Sequence, residues 1–293
     1  MVFSDFEFNG QRLSHYNCIL SSINNLETTV QMHTPLVLNT FRQSGSKRNK
    51  ITSISQDDVI TATFHIVKTN CQEKDDVVYF LDEEIRSIAR WLSCRQYTPL
   101  KVYYDDGSFY DAIFYAVCTD MSTVRHGAGI VELVATFTTN APYGFTEPII
   151  VQRSLSANEQ WEVYPDSDEP GKLLPNKVEI TLNATPPTAT VDGETVRRFL
   201  LYNDMDNKYT EVRGCANGER IILDCQNKLI RCERGSTTNP TYRSDMYKNF
   251  NFNYPRLYVD RHGTSVAPNT FTANTACYLK ITYQNVRKVG VVV

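Results

Sequence analysis

Apolar and polar residues alternate along most of the chain, which is the pattern of a strand with one buried face. In the segment 131–138, every second residue from Val131 to Phe137 is apolar, and the residues between them are mostly polar. Asn-Gly and Asp-Gly dipeptides separate apolar runs at 9–10, 106–107, 192–193 and 217–218. These dipeptides favour the positive φ angles of tight hairpin turns. The pattern therefore predicts a chain that is mainly β.

One segment has helical spacing instead. Between residues 80 and 95 the apolar side chains recur every three or four positions and form a single stripe of Leu81, Ile85, Ile88, Ala89 and Leu92. Acidic residues come first in this segment and basic residues follow, an order that suits the helix dipole. We therefore predict one helix at about 80–95, packed against a β-barrel or β-sandwich.

The distribution of proline predicts where the chain divides. Seven of the twelve prolines lie between residues 142 and 187. Because proline fixes φ and has no N–H donor, such a series is typical of linkers and domain edges. We predict a first domain at 1–147, a proline-rich linker at 148–175 and a second β-sandwich domain at 176–293. The last strand, 289–293, is a candidate to return to the first domain.

A polar, basic segment at 41–50, called the arm below, interrupts the strand pattern. It is long for a hairpin tip, so we expect it to project from its sheet. Its four cations are candidates for an interface with another protein: Arg42, Lys47, Arg48 and Lys50.

Charge and cysteine content narrow the class of protein. The first 150 residues carry 12 basic and 17 acidic residues, a net charge of −5, and the remainder carries 18 and 16, a net charge of +2. This balance lacks the basic signature of a nucleic-acid-binding domain. No apolar run approaches the roughly 18 residues of a membrane span, and no signal peptide pattern is present. The eight cysteines form no CxxC pair, so we expect reduced, buried thiols.

Candidate catalytic and metal-binding residues are sparse. Carboxylates cluster at 57–58, 82–84 and 105–106, but these positions are typical of turns and of a helix N-terminus rather than of a glycosidase pair. The sequence contains no G-x-S-x-G motif, no Walker A motif and no H-x-x-x-H pair. We therefore expect no enzyme activity, no metal site and no cofactor.

Aromatic and Asn residues are concentrated between 242 and 258, and aromatic surfaces of this kind can stack on sugar rings. Tyr247, Phe252 and Tyr254 are the candidate glycan contacts in this cluster. The alternative is that these side chains form cross-strand pairs or pack in a core or an interface.

Several segments resemble the distal tail proteins of siphophages. The helix sequence 84–92, the hairpin 102–112 and the closing strand 131–137 with 141–145 are similar to the N-terminal domain of that family. The segments 177–180, 219–225 and 280–284 look like its galectin-like second domain. The resemblance covers nearly the whole chain and is most specific in 80–145.

The resemblance implies a structural virion protein at the tail tip, assembled in the bacterial host cytoplasm. In that family the first domain closes a homohexameric ring that continues the tail-tube channel and lets DNA pass without specific binding. The implied partners are the tail tube protein, a tail-associated lysin or spike, and a receptor-binding protein; no membrane is implied. The acidic first domain suits a DNA conduit. The alternative function is a carbohydrate-binding adhesion module that contacts host-surface glycans.

Overall fold

The computed structural model describes residues 3–20, 30–31, 36–56, 59–69, 79–127, 129–191, 193–206, 208–236, 238–262, 265–288 and 291–292. The chain forms two compact units, unit 1 (Met1–Glu147 with Val286–Val293) and unit 2 (Pro148–Asn285). Within the described residues the only α-helix is α1 (Asp82–Leu92), and strands account for most of the regular structure. The predicted fold class, mainly β with one packed helix, is confirmed.

Unit 1 is built on an antiparallel sheet. Its strands up to residue 147 are β1 (Phe3–Phe8), β2 (Gln11–Arg12), β3 (Cys18–Leu20), β4 (Val30–Gln31), β5 (Leu36–Phe41), β6 (Lys50–Gln56), β7 (Thr61–Lys68), β8 (Thr98–Tyr104), β9 (Phe109–His126), β10 (Gly129–Thr139) and β11 (Gly144–Phe145). The main sheet has the order β2-β1-β8-β9-β10-β7-β3. Asn9 and Gly10 turn β1 into β2 with φ angles of 52° and 75°, as the dipeptide predicts.

Helix α1 packs one face against this sheet. Ile88 and Leu92 are fully buried, and the Trp91 ring stacks on Phe6 at a centroid distance of 5.3 Å. The Trp91 indole N–H donates to the Phe8 carbonyl at 2.9 Å. Leu81, which the stripe includes, is instead exposed, because it is the N-cap residue and lies outside the helix.

The first turn of α1 is fixed by Glu84. Its carboxylate accepts a hydrogen bond from the Leu81 amide at 2.7 Å and forms an ion pair with Lys68 of β7, also at 2.7 Å. The capping contact satisfies a backbone donor that the helix itself cannot pair. The ion pair joins the helix start to the sheet.

Unit 2 is a two-sheet sandwich. Its strands are β12 (Ile149–Leu155), β13 (Gln160–Val163), β14 (Gly171–Leu173), β15 (Lys177–Leu182), β16 (Thr188–Val191), β17 (Glu194–Asn203), β18 (Tyr209–Arg213), β19 (Arg220–Asp224), β20 (Leu229–Ser236), β21 (Asn239–Tyr242), β22 (Leu257–Val259), β23 (Arg261–His262), β24 (Ser265–Val266), β25 (Asn269–Ala273) and β26 (Cys277–Tyr283). One sheet has the order β12-β26-β15-β19-β20-β21, and the other has the order β13-β25-β17-β16 with β18 also paired to β17. One apolar core draws buried side chains from both sheets, including Ile180 and Leu279 from the first and Phe199 and Phe271 from the second.

The segment 148–175, predicted to be a linker, is part of unit 2. It contains β12, β13 and β14, and β12 pairs along its whole length with β26. The prolines stand at strand ends instead: Pro148 precedes β12, Pro165 follows β13, and Pro175 precedes β15. Proline is tolerated at strand ends because no ladder hydrogen bond is lost there.

The chain ends with β27 (Val286–Arg287) and β28 (Val291–Val292), which belong to unit 1. β27 pairs with β11, and β28 pairs with β4. The predicted strand 289–293 lies only partly within the described residues.

Candidate functional site

The arm lies at the tip of the hairpin that β5 and β6 form. These strands pair from Leu36 with Gln56 to Phe41 with Lys50, and no third described strand joins them. Leu38, Phe41 and Ile51 are each more than half exposed. A two-stranded hairpin is marginally stable alone in water, and here it exposes three large apolar side chains.

The arm has a defined turn rather than an open loop. Gly45 adopts a φ of 83°, and the Ser46 amide donates to the Gln43 carbonyl at 2.9 Å. Arg42 Nε donates to the Ser46 carbonyl at 2.8 Å, and Ser46 Oγ donates to the Arg48 carbonyl at 3.0 Å. All four predicted interface cations, Arg42, Lys47, Arg48 and Lys50, are exposed on this one tip.

The arm and the rest of unit 1 carry opposite charge. Four of the 12 basic residues in 1–150 lie in the arm, which has no acidic residue. Outside the arm, unit 1 contains 17 acidic residues and 10 basic ones (the other 8 of residues 1–150, with Arg287 and Lys288), a net charge of −7. The arm is therefore a basic tip, and the rest of unit 1, called the acidic body below, has the opposite net charge.

The structure separates the three predicted glycan contacts. Tyr247 and Phe252 are exposed by 53% and 57%, and their rings stack at 6.4 Å with an interplanar angle of 22°. Phe252 has a φ of 57°, a left-handed conformation that is rare for a bulky side chain and that occurs at functional sites. These two rings form one accessible aromatic surface.

Tyr254 does not belong to that surface, and its prediction as a glycan contact is wrong. It is only 5% exposed and packs edge-on against Phe250 at 5.1 Å within the core of unit 2. Burial raises the pKa of its hydroxyl to about 12. The sequence cluster mixes core and surface aromatics because the chain between Met246 and Leu257 turns irregularly, so strand alternation does not apply to it.

Sequence reasoning missed a charged cluster on the outer face of the β17–β18 pair. Glu211 is buried, and its carboxylate accepts hydrogen bonds from Arg198 Nε at 2.8 Å, Arg198 Nη2 at 3.0 Å and Arg213 Nε at 2.8 Å. The Arg198 and Arg213 hydrogen bonds hold the pKa of Glu211 below its ordinary value. Tyr202 and Tyr209 pair beside this cluster with centroids 5.5 Å apart.

A second ion cluster is centred on Glu219, the last residue of the loop between β18 and β19. Glu219 is fully buried and accepts from Arg243 Nη1 at 3.0 Å, from Arg234 Nη2 at 3.1 Å and from the Ala216 amide at 2.9 Å. Arg243 also donates to the Arg213 carbonyl. Hydrogen bonds to Asp245 and Glu219 raise the pKa of Arg243 despite the opposing effect of burial. Because Arg243 pairs with both the Glu219 and the Asp245 carboxylates, we interpret this cluster as a structural one that stabilises the fold.

Comparison with known families identifies the kind of protein. Residues 1–141 match the family described as the phage tail protein N-terminal domain, and residues 143–283 match the phage tail C-terminal domain. The chain belongs to this phage tail protein family. The resemblance seen in the sequence is therefore confirmed. A search of curated proteins finds no significant match.

Two solved structures of phage proteins share the fold of this phage tail protein. The crystal structure of the Dit (gp 19.1) protein of phage SPP1, described as a hub adsorption apparatus, matches with a TM-score of 0.62 and 11% identity. That match covers 97% of this chain and 99% of the SPP1 chain. A chain of the phage P2 baseplate in its activated conformation matches with a TM-score of 0.54 and 9% identity, over 97% of this chain and 98% of that one.

Two of the candidate carboxylates of this phage tail protein have structural partners. Of the 82–84 cluster, Glu84 is bound by Lys68, and of the 105–106 cluster, Asp106 accepts from the Ser108 amide at 2.8 Å. The pair 57–58 lies outside the described residues. Within the part of the chain that the structure describes, no three His, Cys, Asp or Glu residues are grouped for a metal ion, and no helix is long and apolar enough to cross a membrane.

The cysteines differ in burial. Cys18, Cys215, Cys225, Cys232 and Cys277 are buried, whereas Cys94 and Cys118 are partly exposed; all seven are free thiols, and Cys71 lies outside the described residues. Burial raises the pKa of Cys18 and Cys277 to about 11 and that of Cys215 and Cys225 to about 12. Thiols in such environments are poorly reactive, because the thiolate is the reactive form.

Proposed function

We propose that this protein is a distal tail protein that assembles into a homohexameric hub at the phage tail tip. The observation that carries the proposal is the match of fold to the SPP1 hub protein, which extends over 97% of this chain and 99% of that one. A match over both units is what a shared structural role requires, whereas a match of one unit would indicate only a shared scaffold. The role is structural and involves no catalysis.

The arm supports ring formation. Its hairpin exposes three large apolar side chains and a basic tip, and the rest of unit 1 is strongly acidic. In a ring each subunit can offer its arm to the next subunit, so that every arm is covered and no interface remains open. We therefore assign Arg42, Lys47, Arg48 and Lys50 to the contact with a neighbouring copy.

The proposed hub joins the tail tube protein on one side to a tail-associated lysin or spike on the other, and unit 2 carries a receptor-binding protein on a galectin-like scaffold. It resides in the virion and assembles in the host cytoplasm. Unit 1 lines a channel through which DNA passes without specific binding, and the acidic balance outside the arm disfavours phosphate contacts.

The location is tested by immunogold electron microscopy of particles that carry this chain, with antibodies raised against the full-length protein. The proposal expects gold at the tip of the tail, opposite the head. Gold distributed along the tail, or confined to the head, would contradict it.

A second candidate function is saccharide binding by unit 2, favoured by the exposed, stacked pair of Tyr247 and Phe252. A glycan array probed with the full-length protein and with the Tyr247→Ala/Phe252→Ala variant tests it. Binding that the variant retains in full would exclude this pair as the contact.

A further inference from the structure

The outer face of β17 and β18, called the β17–β18 face, carries two tyrosines and two arginines around Leu200 and the buried Glu211. Strand alternation directs Phe199 and Leu201 into the core of unit 2, so that Arg198 and Tyr202 lie on the opposite side. The register pairs Tyr202 with Tyr209 and Arg198 with Arg213. Two aromatic rings and two guanidinium groups therefore share one face.

The aromatic part of this face is accessible. Tyr202 is 41% exposed and Tyr209 is 37% exposed, and their rings are 5.5 Å apart with an interplanar angle of 47°. A tilted pair offers a ring face next to a ring edge, and each tyrosine also has a hydroxyl. Such a surface suits a ligand with one apolar side and a polar rim, because the body of the ring is apolar and its tip is polar.

The arginine side chains of the β17–β18 face are held in place by Glu211 without any ligand. Glu211 binds Arg198 through Nε and Nη2, and a guanidinium has five N–H donors, so further donors remain on the same planar group. Arg198 also interacts with the side chain of Tyr209, which links the charged part to the aromatic part. Because Glu211 already orders the arginine side chains, a ligand would lose little rotamer entropy on binding them.

The net positive charge of the arginine and glutamate cluster favours an anionic ligand. Two arginines against one glutamate give this cluster a net charge of +1. Tyr202 also borders a small cleft lined by Asp206, Lys208 and Arg256, where two cations again face one carboxylate. Arginine forks match carboxylate and phosphate groups in particular.

We propose that the β17–β18 face binds an acidic saccharide. Tyr202 and Tyr209 pack against the C–H face of a sugar ring, and Arg198 and Arg213 donate hydrogen bonds to its carboxylate or phosphate and to neighbouring hydroxyls. This proposal rests on one part of the second proposed function, that unit 2 binds a saccharide, and it places the site on Tyr202, Tyr209, Arg198 and Arg213 in place of the Tyr247 and Phe252 pair. It is independent of ring assembly.

The test uses full-length protein on an array of bacterial surface oligosaccharides in three groups: uronic-acid-bearing, phosphate-bearing and neutral. The variant of the proposed site is Tyr202→Ala/Tyr209→Ala, and the variant of the stacked pair is Tyr247→Ala/Phe252→Ala. Tyr242→Ala is the matched control, because Tyr242 is equally an exposed tyrosine of unit 2 but lies on β21 in the other sheet. The single Tyr202→Ala and Tyr209→Ala variants replace the double variant if its unfolding midpoint falls.

The proposal expects wild-type protein to bind acidic oligosaccharides, with affinity about tenfold lower in Tyr202→Ala/Tyr209→Ala and unchanged in the other two variants. Binding to the uronic-acid-bearing oligosaccharides would identify a carboxylate ligand, and binding to the phosphate-bearing ones would identify a phosphate ligand. A loss confined to Tyr247→Ala/Phe252→Ala would overturn this site and support the second proposed function at the stacked pair. Equal binding of neutral oligosaccharides would overturn the acidic class, and no binding to any group would overturn both saccharide proposals.

Discussion

Replacing Arg243 by Met tests how the core of unit 2 tolerates its buried charges. Glu219 has a side-chain exposure of 0% and Arg243 one of 8%, so the pair is almost completely withdrawn from water. The variant removes the 3.0 Å contact to Glu219 and both donors to the Arg213 carbonyl. Among the residues that the structure describes, Arg234, which is 45% exposed, is the one arginine that remains bound to Glu219.

The expected loss of unfolding free energy follows from the buried Glu219 carboxylate, which the variant leaves without its buried partner. Removing one partner of a buried ion pair leaves an under-compensated charge and costs about 3–5 kcal/mol of unfolding free energy. The Arg243 guanidinium also packs on Gly214, where a Cβ would lie 3.0 Å from Nη2, so the side chain fills its site closely. We therefore expect Arg243→Met to lose at least about 3 kcal/mol. The matched control, Arg153→Ala, breaks a more exposed pair with Glu159 and should lose much less stability, because exposed ion pairs contribute little.

The assay is equilibrium urea unfolding, with tryptophan fluorescence as the probe. The chain has two tryptophans, Trp91 in unit 1 and Trp161 in unit 2. A Trp91→Phe background therefore reports on unit 2 alone. Adding Glu219→Gln to Arg243→Met removes the stranded charge and should recover part of the loss. A cost no larger than that of Arg153→Ala, or no recovery in the double variant, would refute this reasoning.

Three further outcomes are expected. Reversing all four arm cations to Glu should convert a ring to monomers in light scattering, because it removes the attraction to the acidic body, whereas Lys172→Glu in unit 2 should leave the ring intact. The pKa of Glu211 is lowered by its bond to Arg198, so its contribution to stability is complete above the ordinary value of 4.5 and is lost as the pH falls through the lower folded value. Glu211→Gln should therefore lose less stability than wild type as the pH is lowered below 4.5 in urea unfolding, and an equal loss would count against the ion cluster. Among the described cysteines, Cys94 and Cys118 should be alkylated first in the native protein, as peptide mass mapping would show, and early labelling of the five buried thiols would contradict their burial.

Local signals in the sequence predict local structure well. The spacing of Ile88 and Leu92 predicts their burial in α1, and Asn9-Gly10 predicts the turn between β1 and β2, because each depends on residues a few positions apart. The basic arm is also recognisable, since polar side chains interrupt the strand alternation there. Its isolation as a separate two-stranded hairpin is not encoded locally.

Features that depend on strand register cannot be predicted in this way. Arg198 and Glu211 are 13 residues apart and form no motif, and only the pairing of β17 with β18 brings them together. Tyr247 and Tyr254 look alike in the sequence, yet one is exposed and the other is in the core. Pro148 and Pro175 are typical of a linker in the sequence, whereas in the structure each of them precedes a strand of unit 2.

The measurement that tests the central claim most directly is the mass of purified full-length protein by light scattering after size exclusion, with negative-stain images of the same fraction. The account predicts rings of about 200 kDa, six times the 33.5 kDa of one chain. A monomer of 33.5 kDa at every concentration, with no rings in the images, would contradict it.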